Sequence, residues 1–384
     1  MNRPLHVARV RALLRANPVV AILGARQVGK TTLAGQVGAA IGGMVTRFDL
    51  ESSIDRARLA DPMLALAGLK GLVILDEIQH APEVFRALRV LADRPRRPAR
   101  FIVLGSASPE LLQQSSESLA GRIAHYELDG FSLLELPKAP VERLWRRGGF
   151  PRSFLARTEA DSVRWRDDFI ATFLGRDLPQ FGIRVSATTL ERFWAMLAHY
   201  HGQTWNSSEL ARAFGVADTT VRHYLDILTS TYVVRQLPPW HENLAKRQVK
   251  APKIYLRDSG ILHSLLRIPD RESLLRHPKV GASWEGFALA EVEAQLRVRR
   301  GESHFWRTHG GAELDLFVVR GQRRLGFEFK RTSSPTITPS MRIALESLAL
   351  ERLDVVHAGD ATWDLAPRIR AVALERVATD IEPL

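Results

Sequence analysis

Two sets of residues in this chain have the types and spacing for chemistry on phosphates. The first is "GARQVGKT", residues 24–31, where two glycines bracket a short loop and a lysine and a threonine follow. Gly24 and Gly29 let the backbone wrap so that the N–H groups of Ala25, Gln27, Val28 and Gly29 point at an anion. The N-terminal end of the helix that follows adds its dipole. Lys30 then reaches the β and γ phosphates of a nucleoside triphosphate, the Thr31 hydroxyl ligates magnesium, and Thr32 touches the α phosphate. Asp76 and Glu77 close the apolar run at 72–75, which puts an acid pair at the carboxyl end of a buried strand. There Asp76 is expected to hold the metal through water and Glu77 to orient or deprotonate the attacking water. Ser106 ends the next apolar run, in place to sense the γ phosphate. Arg122 closes the helix after it, where an arginine reaches a neighbouring subunit's nucleotide, and its own motif offers it no acid partner. A solvated arginine at a helix end is the alternative.

The second set lies in "AELDLFVVRGQRRLGFEFK", residues 312–330, with an acid in one apolar strand and an acid and a lysine in the next. Glu328 and Lys330 are two apart on a strand and face one side, with Asp315 within reach on the antiparallel neighbour. Carboxylates converging there can hold magnesium, Glu285 from the helix "SWEGFALAEVEAQL" can complete the shell, and Lys330 can orient water. Phe327, Phe329, Leu314 and Leu316 are expected to turn the other way, into a core. The same alternation suits a sheet with one solvated face, in which Asp315 contributes little to folding.

These residues need elements to position them. "VVAILG" reads as a buried strand ending in glycine, with a helix from Lys30 to about Gly42. "GLVILDEIQ" and "FIVLGSAS" repeat the pattern, each followed by a helical stretch, so a parallel sheet covered on both faces is expected. Residues 157–183 are helical by spacing, with Arg176 and Asp177 as an internal pair or a sensor. Residues 206–237 read as a capped helix, a turn at Gly215 and a second helix with Val221, Leu225 and Leu228 inward, followed by a β wing. The outward face of the second helix offers Thr219, Thr220, Arg222, His223 and Asp226 to DNA or to protein.

The 384 residues, 45% hydrophobic and 25% charged, suit a soluble chain of several domains. No apolar run is long enough to span a membrane, and the basic amphipathic N-terminus lacks the features of a signal peptide, so the cytoplasm is the expected location. With no cysteine, disulfides and thiolate metal sites are excluded. A net charge of +12 and a pI near 10.5 favour polyanions as partners, or reflect arginine used for solubility.

Taken together, "GARQVGKTT", "LVILDEIQ", "LGSAS", "SLAGR", "GGFP" and "KIYLRDSGIL" resemble a group of bacterial and archaeal AAA-family ATPases that join a P-loop domain to a C-terminal domain of unknown function. The order of Glu285, Asp315, Glu328 and Lys330 resembles the PD-(D/E)XK nucleases. The resemblances imply an α/β chain: an AAA-like P-loop core with a parallel sheet over 1–130, a helical lid over 131–185, a winged helix-turn-helix over 186–250, and a PD-(D/E)XK-like domain over 251–384. The resemblance to the ATPases supplies no substrate; the leading reading of the residues is a magnesium-dependent ATPase that acts on DNA, as a homo-oligomer with ATP at the subunit interface. The alternatives are an ATP-regulated, magnesium-dependent nuclease and an ATP-driven protein-interaction switch.

Overall fold

The computed structural model describes residues 1–95, 98–105, 119–136, 140–180, 185–241 and 251–384. Its contacts divide the chain into two compact units, residues 1–130 with 230–232, and residues 131–229 with 233–384.

The first unit is built on a five-stranded parallel sheet in the order β2-β3-β4-β1-β5, with β1 Val19–Leu23, β2 Val45–Asp49, β3 Gly71–Asp76, β4 Ala99–Gly105 and β5 Ile123–Glu127. All five residues of β1 are buried, as a strand flanked on both sides and covered on both faces must be. The helix Lys30–Ile41 turns Leu33, Ala34 and Val37 inward. The helix Val84–Ala92 buries Val84, Phe85, Leu88 and Leu91 at helical spacing and leaves Arg86 and Arg89 in solvent. The basic N-terminal segment is a helix, Pro4–Ala16, that buries only Val10 and Leu14.

The second unit carries two sheets. Three helices, Ala187–His199, Ser207–Phe214 and Asp218–Ser230, accompany an antiparallel sheet of order β6-β8-β7, formed by β6 Gln203–Thr204, β7 Val234–Leu237 and β8 Lys253–Leu256. Asn206 caps the first helix of the expected pair, and Gly215 ends it in the left-handed region at φ +69°. The division expected at 250/251 is not where pairing changes, because β8 bonds to β6 and β7 although β8 follows that boundary.

The larger sheet runs β13-β14-β12-β11-β10-β9, with β9 Ser303–Arg307, β10 Glu313–Arg320, β11 Arg323–Lys330, β12 Arg352–His357, β13 Trp363–Ala366 and β14 Ile369–Ala373. The helices Val280–Leu296 and Pro339–Ser347 pack on it. The centres of β10 and β11 are buried at successive residues, so neither face is solvated there. The pairing of β10 with β9 shifts between Leu314 and Phe317, and those two residues, three apart, enter one core cluster that does not include Leu316. The expected pairing of Leu314 with Leu316 fails because a bulge resets the alternation.

Two motifs without an assigned role, "GGFP" and "KIYLRDSGIL", meet in this unit. The half-buried Asp258 carboxylate accepts from the N–H groups of Ile261 at 2.9 Å and Gly149 at 2.7 Å, so it caps one helix and pins the other motif. Arg166 donates to Arg146 O at 2.9 Å and Gly260 O at 3.1 Å. A Cβ at Gly260 would lie 2.2 Å from Arg147 O, so only glycine admits this approach. Gly260→Ala is therefore expected to destabilise the second unit by about 1–3 kcal/mol. Gly281→Ala, where a Cβ meets nothing within 4 Å, should hold or raise stability. Urea unfolding of the two variants checks the contrast.

Candidate functional site

The segment after β1 has the backbone that an anion-binding loop requires. Gly24 and Gly29 stand at φ +151° and +101°, and a Cβ on Gly24 would come within 2.2 Å of Leu128 O. Val28 is buried against this turn, Ala25 is buried beside it, and Gln27 takes φ +60°. Lys30 opens the helix, is 6% exposed, and donates to Gly24 O and Ala25 O at 2.9 Å each. The lysine thus satisfies its own loop and lies where it can exchange carbonyls for phosphate oxygens. Thr31 and Thr32 occupy the first turn of that helix.

Asp76 ends β3 across from the loop. The Thr31 hydroxyl donates to Asp76 Oδ2 at 2.9 Å, and the Arg47 guanidinium on β2 reaches the same oxygen at 2.7 Å. Asp76 Oδ1 is buried with no hydrogen-bond partner. Burial pushes this carboxyl above its usual range; the Thr31 hydrogen bond pulls it back, Glu77 adds to the rise and Arg47 opposes it. A buried oxygen with an open lone pair beside a threonine hydroxyl fits magnesium, the hard cation that a nucleoside triphosphate brings. Glu77 adopts φ +53°, a conformation that costs a non-glycine residue about 1 kcal/mol or more, and accepts from Gln79 Nε2.

Two of the expected participants stand differently. Arg122 has an acid partner after all: its Nε and Nη2 donate to the two oxygens of Asp93 at 2.6 and 2.9 Å. The pair joins residues 29 apart in sequence, which no local motif displays. Arg122 precedes β5 at the end where Ile123 lies beside Val19, whereas the loop follows Leu23 at the other end. Five strand residues, about 17 Å, separate the arginine from its own subunit's loop. Ser106 lies outside the described residues.

Sequence reasoning missed Arg3 and Arg47. Arg3 is buried and donates to Val28 O at 3.3 Å and to Asp129 O and Gly130 O at 3.1 Å, tying the loop to the chain leaving β5. Nothing local marks either residue, because each acts through a partner far along the chain.

In the second unit the structure brings Glu285, Asp315, Glu328 and Lys330 together, and adds a group that sequence did not supply. Lys253, on β8 and 4% exposed, sets its ammonium 2.5 Å from Glu313 Oε1, 3.4 Å from Asp315 Oδ1 and 3.5 Å from Glu285 Oε1. Lys330 Nζ lies 2.9 Å from Glu328 Oε2. Asp315 Oδ2 accepts from Phe329 N at 3.1 Å, and Glu285 accepts from the Tyr255 hydroxyl. Burial, then the neighbouring Asp315, pushes Glu285 up to about 7 and Glu328 up to about 8. Burial works against the charge on Lys253, but Asp315, Glu285 and Glu313 outweigh it and raise its pKa. Among the described residues no three carboxylate or histidine groups are arranged to hold a metal ion. Of the residues expected to form a metal centre, Glu285 and Asp315 stand in ion pairs with Lys253, and Glu328 with Lys330. Asp315 is a buried, hydrogen-bonded acid rather than one on a solvated face.

Comparison with known proteins agrees with this division. Residues 16–136 match the AAA domain family, residues 139–272 a domain of unknown function (DUF8612), and residues 280–377 another (DUF4143). The uncharacterized proteins Rv2008c of Mycobacterium tuberculosis and Mb2031c of Mycobacterium bovis are each 52% identical to the chain over 372 residues, which is 97% of this chain and 83% of theirs. The chain belongs to their family. Among solved structures, the Walker-type ATPase PABY2304 of Pyrococcus abyssi aligns over 69% of this chain and 95% of its own, at 13% identity and a TM-score of 0.45. The first unit of this family member is an AAA-type P-loop domain, on the AAA match and the loop and strand geometry above. Among the described residues no helix is long and apolar enough to cross a membrane.

The buried acids give this family member a pH signature. Glu291 is 5% exposed, accepts from Leu133 N at 2.8 Å and is pushed by burial up to about 8. In the unfolded chain such carboxyls ionise near their ordinary value, so between that value and about 8 the folded state binds more protons and stability falls as pH rises. The second unit should therefore lose stability from about pH 5 to about pH 8. Glu291→Gln should flatten part of that decline, as denaturation at several pH values would show. Asp315→Ala removes one partner of a buried ion pair and should cost about 3–5 kcal/mol, a loss that thermal unfolding will report.

Proposed function

We propose that this protein is a magnesium-dependent AAA-type ATPase of the cytoplasm whose nucleotide cycle drives work on DNA. The observation that carries the ATPase reading is the convergence of Lys30, Thr31 and the unpartnered Asp76 Oδ1 at one end of the parallel sheet. Thr31 and Asp76 would hold magnesium, which when bound offsets charge on the phosphates. The backbone N–H groups of Ala25, Gln27, Val28 and Gly29 would hold the phosphates, Lys30 would exchange its two loop carbonyls for phosphate oxygens, and Thr32 would serve the α phosphate. Glu77, next to Asp76 and held in a strained backbone, takes the role of orienting the attacking water.

Arg122 is proposed to act on a neighbouring subunit's nucleotide in a homo-oligomer. Its place at the far end of β5 leaves the nucleotide of its own subunit out of reach and supports a reading in trans. On that reading Asp93 holds the arginine when no neighbour is docked. DNA contact is proposed for the helix Asp218–Ser230, the second helix of a winged helix-turn-helix. Thr219, Arg222 and His223 are exposed on it, and the net charge of +12 supports the same partner.

Lys30→Ala should lose ATP hydrolysis, and Glu77→Gln should bind ATP yet turn over at least about a hundredfold more slowly. Unchanged turnover in both purified variants would sink the site. Mixing Arg122→Ala with Lys30→Ala should restore hydrolysis if the arginine works in trans, while Asp93→Ala alone should retain it. Equal losses in Arg122→Ala and Asp93→Ala, with no rescue on mixing, would reduce the pair to a structural brace. DNA affinity that falls steeply with salt, and falls further in Arg222→Ala, supports DNA as partner. No binding at low salt would favour the protein-interaction switch.

A further inference from the structure

Lys253 opens the motif "KIYLRDSGIL", and none of the roles above uses it. Its ammonium stands among Glu313, Asp315 and Glu285, with contacts at 2.5, 3.4 and 3.5 Å. The same ammonium lies 5.7 Å from the centroid of the Phe305 ring, so an aromatic face backs it. The lysine cannot withdraw to water, because its side chain is 5% exposed and β8, which carries it, lies between β6 and β7. Asp315 Oδ2 accepts from Phe329 N–H, Glu285 Oε1 accepts from the Tyr255 hydroxyl as well, and Glu328 Oε2 is paired with Lys330 Nζ.

A divalent ion takes oxygen ligands at about 2.0–2.2 Å. An ion bound to Asp315 and Glu285 would therefore press against the ammonium that already touches both. Two positive centres at that separation in a buried site repel strongly, so metal and lysine exclude one another. We propose that Lys253 is the built-in cation of this cluster, taking the place of a divalent metal ion, so that the C-terminal sheet keeps its acids paired and cuts no phosphodiester bond.

The test is manganese binding followed by electron paramagnetic resonance, on the full chain without nucleotide. The wild type and Asp315→Asn should bind Mn2+ alike up to concentrations on the order of 1 mM. Lys253→Met should gain a site at least about tenfold tighter, and adding Asp315→Asn to it should remove the gain. Neither the wild type nor Asp315→Asn should nick single-stranded, duplex or branched DNA with Mn2+. Wild-type Mn2+ binding or DNA cleavage that Asp315→Asn abolishes overturns the proposal, as does a folded Lys253→Met that gains no site. If Lys253→Met does not fold, the comparison of wild type with Asp315→Asn decides alone: equal binding supports the built-in cation, and a difference overturns it.

Discussion

The second unit depends on one buried charge. The ammonium of Lys253 reaches three carboxylates that come from two elements: Glu313 and Asp315 on β10, and Glu285 on the helix Val280–Leu296. The lysine belongs to the three-stranded sheet and β10 to the six-stranded one, so a single cation fixes two sheets and a helix at one point. Removing any of these charges from its partners leaves the others in low dielectric, where an unpaired ion is far more costly than in water. Four acids and two lysines meet there, and burial, then the charge of Asp315, pushes the carboxyls of Glu285 and Glu328 up.

The nucleotide site in the first unit follows the same constraint with a different solution. Asp76 is buried, and the chain matches its charge only in part, with a hydroxyl and a guanidinium on one oxygen and nothing on the other. At Lys253 every neighbouring carboxylate finds a donor within the chain. One cluster keeps an open lone pair beside a loop shaped for anions, whereas the other pairs its acids with lysines.

Another acid, the half-buried Asp258, shows how motifs without chemistry can still be strict in sequence. Its oxygens take backbone N–H groups from its own helix and from Gly149, and Gly260 lets the two segments touch. Substituting Asp258 removes the acceptor of both bonds, and a side chain at Gly260 blocks the approach. The buried Asp354, held by Arg352 and Arg370, is a further case in the six-stranded sheet.

The sequence alone determined the parallel sheet and its loop, because those signals are local: an apolar run of strand length, two glycines at fixed spacing, and a lysine and threonine entering a helix. It also placed Asp315, Glu328 and Lys330 near one another, since adjoining strands joined by a short turn must pair. Tertiary structure decided the rest. Lys253 is 62 residues from Asp315, Arg122 is 29 from Asp93 and Arg47 is 29 from Asp76, and no periodicity reports which distant side chain fills a given position. The bulge in β10 reversed part of an alternation that composition could not break. Spacing fixes which residues can face one another, but only the packed chain fixes whether the charge at their centre is a metal ion or the protein's own lysine, because that choice is made by desolvation and long-range contact.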